Sequence, residues 1–110
     1  MTLSELRFVV AVAHEKNFRR AATKSFVSQP ALSLAIKKIE NELGVLIFER
    51  NRMGIALTSV GELIVNQAEK VLEEADKIIY STKQNYKSLE SASLVLPGAT
   101  VMSEMIDILN

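Results

Sequence analysis

The sequence predicts a mostly α-helical chain: three helices, a β-hairpin and then one long helix. Three observations carry this. Apolar residues recur at helical spacing from Leu3 to Leu43, capping residues stand at the breaks, and the period changes to short β-prone runs only between Val45 and Leu57. With 110 residues, 48% apolar and 24% charged, the chain suits one compact domain with an appended element.

Thr2-x-x-Glu5 is a capping box, in which the Thr2 hydroxyl takes the amide three residues on and Glu5 reaches back. Leu3, Leu6, Val9, Val10 and Ala13 follow at helical spacing, so the first helix runs to about Glu15. Lys16-Asn17 breaks it, and Asn17 caps a short second helix from Phe18 to about Lys24. Ser25-Phe26-Val27 reads as a tight turn. Ser28 then caps a third helix whose first turn holds Pro30, where a missing N–H costs nothing. Leu32, Ala35, Ile36, Ile39 and Leu43 form its buried stripe, and Gly44 ends it.

Val45–Glu49 and Ile55–Leu57 are short β-prone runs. Between them Arg50-Asn51-Arg52-Met53-Gly54 makes a basic tip with a glycine for positive φ. Thr58 or Ser59 caps the next helix, Ser59-x-x-Glu62 being a second capping box. That helix runs without Pro or Gly from about Glu62 to Leu89. Ile64, Ala68, Val71, Ala75, Ile78, Thr82, Asn85 and Leu89 alternate at spacings of four and three, and Val65, Leu72, Ile79 and Tyr86 add a parallel row. So long a seam exceeds what the small preceding body can bury. A partner helix is expected, a second copy being the simplest, with Ile64, Ala68, Val71, Leu72, Ala75, Ile78 and Ile79 on the pairing face. The expected organisation is therefore residues 1–58, 59–90 and a short tail, 91–110, with a linker, a strand at Leu94–Leu96 and a helical fragment.

Composition narrows the function. No apolar run approaches the roughly 20 residues that cross a bilayer, and the first residues lack a basic or apolar leader, so no membrane partner and a cytoplasmic location are expected. The absence of cysteine excludes disulfides, thiolate metal sites and thiol switches within these residues. The net charge of zero conceals a split. Met1–Leu57 holds nine Lys/Arg against five Asp/Glu, whereas Thr58–Asn110 holds four against eight. A basic first half suits a polyanion.

Helix, short helix, three-residue turn, helix and basic hairpin is the order of a winged helix-turn-helix. Each part fits double-stranded DNA. Ala21 and Ala22 let the second helix approach the third closely, and Phe18 fills the core. Ser28, Gln29, Pro30 and Ser33 stand at the start of the third helix, the end that meets base edges. Gln29 can present a bidentate amide to adenine, and Ser28 and Ser33 suit phosphate or base. Lys37 shares a face with Ser33. Arg50 and Arg52 flank the hairpin tip, where a guanidinium reaches a phosphate or a minor groove.

The runs Phe18-Arg19-Arg20-Ala21-Ala22, Val27-Ser28-Gln29-Pro30-Ala31-Leu32-Ser33, Ile36 to Val45, Leu46-Ile47-Phe48-Glu49-Arg50 and Leu57-Thr58-x-x-Gly61 are together similar to the DNA-binding domain of LysR-type transcriptional regulators. The similarity covers about residues 3 to 89, with five motifs in order, and the arginine pair leans toward the branch that includes peroxide-sensing members. It implies binding to interrupted inverted-repeat operators as dimers or tetramers, with the long helix pairing across the dimer. It implies base or backbone contacts from Ser28, Gln29, Pro30, Ser33 and Lys37, a wing at Arg50, Asn51 and Arg52, and Arg19 and Arg20 near the backbone. Two departures stand out. Position 34 is Leu34, where many relatives carry a polar or basic residue. Relatives also continue into a large effector domain, of which Leu94-Val95-Leu96-Pro97-Gly98 is at best a distorted echo. A typical small-molecule site needs several hundred cubic ångströms of enclosure, so no effector site is expected here. The chain reads as a truncated product, an isolated DNA-binding domain or a natural short paralogue.

Other residues point to no chemistry. Glu40 and Glu42 read as structural, Glu40 as the partner of a basic residue. His14 stands alone, with no second His and no Cys for a metal. Without a nucleophile–base pair, metal cluster or glycine-rich phosphate loop, no enzyme and no cofactor are expected. The alternative function is a chain that pairs through its long helix with a full-length relative and forms inactive heterodimers.

Overall fold

In a computed structural model of the chain, the backbone is described from Met1 to Ser91 and side chains to Lys83. The elements are α1 (Leu3–Glu15), α2 (Phe18–Lys24), α3 (Gln29–Leu43), β1 (Phe48–Asn51), β2 (Gly54–Leu57) and α4 (Ser59–Ser91). The strands form an antiparallel hairpin with Phe48 opposite Leu57 and Asn51 opposite Gly54. The expected winged helix-turn-helix with a long following helix is the fold found. The tail at 92–110, with its expected strand at Leu94–Leu96, lies outside the described residues, as do the side chains of Asn85, Tyr86 and Leu89.

The caps act as their chemistry requires. Thr2 Oγ1 accepts from Glu5 N at 3.1 Å, and Glu5 Oε1 accepts from Thr2 N at 2.8 Å. Asn17 Oδ1 accepts from Arg20 N at 2.9 Å, and Ser28 Oγ from Ala31 N at 3.2 Å. Gly44 ends α3 in the left-handed region at φ 69°, donating to Glu40 O.

One boundary differs from the sequence reading, and at a second the structure chooses between two expected caps. The first strand begins at Phe48 rather than Val45, because the three residues before it are committed elsewhere. Val45 N donates to Glu40 O in the final turn of α3, and the Glu40 carboxylate accepts from Ile47 N at 2.8 Å and Phe48 N at 3.4 Å. Glu40 therefore ties the end of α3 to the hairpin by backbone amides, not by the basic residue expected. Glu40→Ala leaves both amides without that acceptor and is expected to cost about 2 kcal/mol. A urea midpoint equal to wild type would refute the role.

At the second boundary Thr58, not Ser59, is the cap. Its Oγ1 accepts from Gly61 N at 2.8 Å and donates to Leu46 O at 2.6 Å, while Thr58 N donates to Ile47 O at 3.0 Å. Thr58 thus fastens the start of α4 to the chain entering β1. Gly61 lies buried over the Ile47 carbonyl, where a Cβ would collide with backbone.

The first compact unit, Met1–Leu72, holds the core. Val9 and Val12 of α1, Ala21 and Ala22 of α2, Leu32, Ile36 and Ile39 of α3, and Ile47 make a continuous apolar cluster with Phe18 and Phe48. The two rings meet edge to face, centroids 6.2 Å apart. Val65 of α4 joins this cluster, and Ala68 and Leu72 form a second one with Leu6 and Val10 of α1. Part of the expected pairing face is thus covered within its own chain. Ala68 and Leu72, 2% and 8% exposed, are buried against α1 of their own chain, and Ile64 packs on the main cluster. The first turns of α4, to Leu72, accordingly belong to the same compact unit. On the other side of α4, Val71 remains 44% exposed. His14 Nε2 meets Glu69 Oε1 at 3.0 Å on the surface.

Among the described residues Glu5 is the buried charged side chain. Burial alone would raise its carboxyl, but Lys38 Nζ at 3.2 Å and the Thr2 amide outweigh that and hold it below its ordinary value. A lowered carboxyl favours the fold above the ordinary carboxylate range and loses that contribution as pH falls through it.

The second unit begins at Glu73. There α4 carries ion pairs from Lys77 to Glu73 and Glu74, a solvated face, while Ile78 is 68% exposed and Ala75 and Ile79 are half-buried.

Candidate nucleic-acid interface

α3 presents an outward face because its apolar residues all turn one way. Leu32, Ile36 and Ile39 are buried, and at 3.6 residues per turn Pro30, Leu34, Lys37, Lys38 and Asn41 fall on the opposite side, where all five are exposed. Gln29 is exposed in the first turn and Ser33 is half-buried at the edge of this face. Ser28 is exposed but its oxygen already accepts the Ala31 amide; its hydroxyl proton is what it can still offer an acceptor.

Ser33, Lys37 and Arg50 line one open cleft between α3 and the hairpin, with Phe18, Asn41 and Leu46 on its other walls. Thus two residues of the third helix and one of the wing, seventeen positions apart at the extremes, share a single surface feature. Arg50 sits within β1 rather than at the tip as expected, and its guanidinium carbon stands 4.3 Å above the Phe18 ring. A cation over an aromatic face is held electrostatically, so the guanidinium is oriented by α2.

The turn is the pair Arg52-Met53, and Gly54 takes φ 117°, as its position anticipated. Asn51 Oδ1 accepts from Met53 N at 2.8 Å. That oxygen shapes the turn, and the Asn51 amide donors remain for a ligand acceptor. Arg19 and Arg20 do not join the cleft. They line a separate depression on α2 with Asn17, Thr23 and Lys24, and Arg20 Nη2 donates to Glu15 O at 3.2 Å.

Sequence reasoning missed the Phe18–Arg50 stack and the exposure of the apolar residues Phe26 and Met53. Phe26 lies in the turn between α2 and α3 at φ 58°, an uncommon conformation for a bulky residue. No spacing rule announces it. Leu34 was legible: at i+2 from Leu32 it cannot share the buried stripe. Among the described residues no group of three or more His, Cys, Asp or Glu could hold a metal, and no helix is long and apolar enough to cross a membrane.

Residues 3–62 match the family model of the bacterial regulatory helix-turn-helix proteins of the lysR family. The chain belongs to the LysR family. Among LysR-family relatives, the DNA-binding transcriptional dual regulator OxyR of Escherichia coli K12 is 46% identical over 74 residues, covering 67% of this chain and 24% of that protein. The chain thus spans about a quarter of the length of that curated relative. Among solved structures, full-length OxyR from Pseudomonas aeruginosa is 55% identical with a TM-score of 0.73, over 76% of this chain and 28% of that one. The BenM DNA-binding domain in complex with catB site 1 DNA is 37% identical with a TM-score of 0.74, over 76% of this chain and 94% of that one.

Proposed function

We propose that this chain binds double-stranded DNA sequence-specifically as a homodimer, in the bacterial cytoplasm, and regulates transcription at an interrupted inverted-repeat operator. The observation that carries the reading is the clustering of Ser33 and Lys37 of α3 with Arg50 of the wing around one cleft, on a chain similar to a domain solved on DNA. In this reading residues 1–58 contact DNA, and Gln29 and Ser33 read base edges at the leading end of α3 while Pro30 packs beside them. Ser28, Lys37, Arg19, Arg20, Arg50 and Arg52 contact phosphates, and Asn51 supports the wing. Pairing runs along residues 59–90 of α4. Val71 and Ile78 support it, since each leaves apolar surface uncovered in a single chain, with Ala75 and Ile79 beside them.

The test is selection of bound duplexes from a randomised library with the purified protein, followed by titration of the selected site and of random DNA. Gln29→Ala or Ser33→Ala is expected to weaken binding to the selected site by about 1–3 kcal/mol and to leave random DNA nearly unaffected. Equal loss on both would remove base reading from those residues. Failure to select any sequence would overturn the function itself.

A further inference from the structure

Leu34 is 69% exposed at the middle of the outward face of α3. It stands across the helix from Leu32, Ile36 and Ile39, with Pro30 one turn before it and Lys37 and Lys38 one turn after. It contributes nothing to either apolar cluster. Lys38 is drawn toward α1 by its ion pair with Glu5, which leaves the leucine as the apolar crest of that face.

A leucine has no donor or acceptor, so it cannot read a hydrogen-bonding edge. The major-groove edge of a base pair offers it one apolar group, the C5 methyl of thymine. From this placement we infer that Leu34 is a specificity-determining residue that packs on a thymine methyl in each half-site. Burial of that methyl against a side chain already exposed in the free protein favours dT over any other base at that position. The inference rests on the DNA-binding reading above. It adds a readout by shape and apolar contact to the polar readout assigned to Gln29 and Ser33.

Because Leu34 is solvent-exposed on a helix, Leu34→Ala keeps the fold, and its circular dichroism melt checks this. Duplex selection is run in parallel with the wild type and with Leu34→Ala. One thymine-enriched position per half-site is expected to lose its preference in the variant, while the other positions persist. Deoxyuridine is then placed at that position in the selected duplex, which removes only the methyl. Wild-type affinity is expected to fall about fourfold per half-site, the effect of one buried methyl group, and Leu34→Ala is expected to be insensitive to the exchange. If both proteins select the same site, or both respond equally to deoxyuridine, the inference is overturned while sequence-specific binding stands. If the wild type selects no site, sequence-specific binding fails first.

Discussion

Replacing Gly61 by alanine is expected to destabilise the compact unit by about 3 kcal/mol, lowering Tm by about 15 °C in a circular dichroism melt. Gly61 is the third residue of α4, and its amide donates to Thr58 Oγ1 at 2.8 Å. A Cβ there would press into the Ile47 carbonyl, which is backbone and cannot rotate away. That same carbonyl accepts from Thr58 N, so a shift of either segment strains the hydrogen bonds joining α4 to the hairpin. Ile47 itself is fully buried and anchors this segment in the core. The conformational argument for glycine plays no part, since no left-handed φ is involved; the reason is close approach alone. A melt within about 3 °C of wild type would show that the helix start is not pressed against Ile47.

The second large effect concerns salt. Affinity for a selected duplex is expected to fall about a thousandfold between roughly 50 and 200 mM monovalent salt, as cations that neutralise about six phosphates release counterions. Arg19, Arg20, Lys37, Arg50 and Arg52 are all exposed on the first unit and are repeated in each copy of a dimer. Arg20 gives one donor to the Glu15 carbonyl, so fewer than the full set of donors reach phosphate, whereas the stack on Phe18 orients the Arg50 guanidinium and leaves its N–H donors available. Arg50→Ala should reduce the slope of log affinity against log salt by about 1 per copy and weaken binding to all sequences alike. A slope near zero in the wild type would contradict phosphate binding by these side chains.

The helices and their ends were legible because the signals for them are local. Thr2, Asn17 and Ser28 each cap a helix within three residues of themselves, and Gly44 ends one by its own backbone. The outward face of α3 was legible too, since the spacing of Leu32, Ile36 and Ile39 dictates which residues oppose them. Family resemblance selected the same face for DNA. What local signals got wrong or left open has one cause. The start of β1 moved to Phe48 because Glu40, eight residues back, holds the intervening amides. Of the two caps expected for α4, Thr58 is the one used, and its hydroxyl also reaches Leu46, twelve residues away.

By its own periodicity and capping chemistry, the amino-acid order determined three helices, a basic hairpin, a long rod and the residues that turn outward on α3. Only tertiary packing decided that Arg50 rests on Phe18, that Gly61 lies against Ile47, and that Ala68 and Leu72 pack with Leu6 of the same chain. Periodicity states which residues share a face of a helix; it carries no information on which other face will cover them. That choice depends on contacts between segments dozens of residues apart, where size and shape rather than spacing select the neighbour.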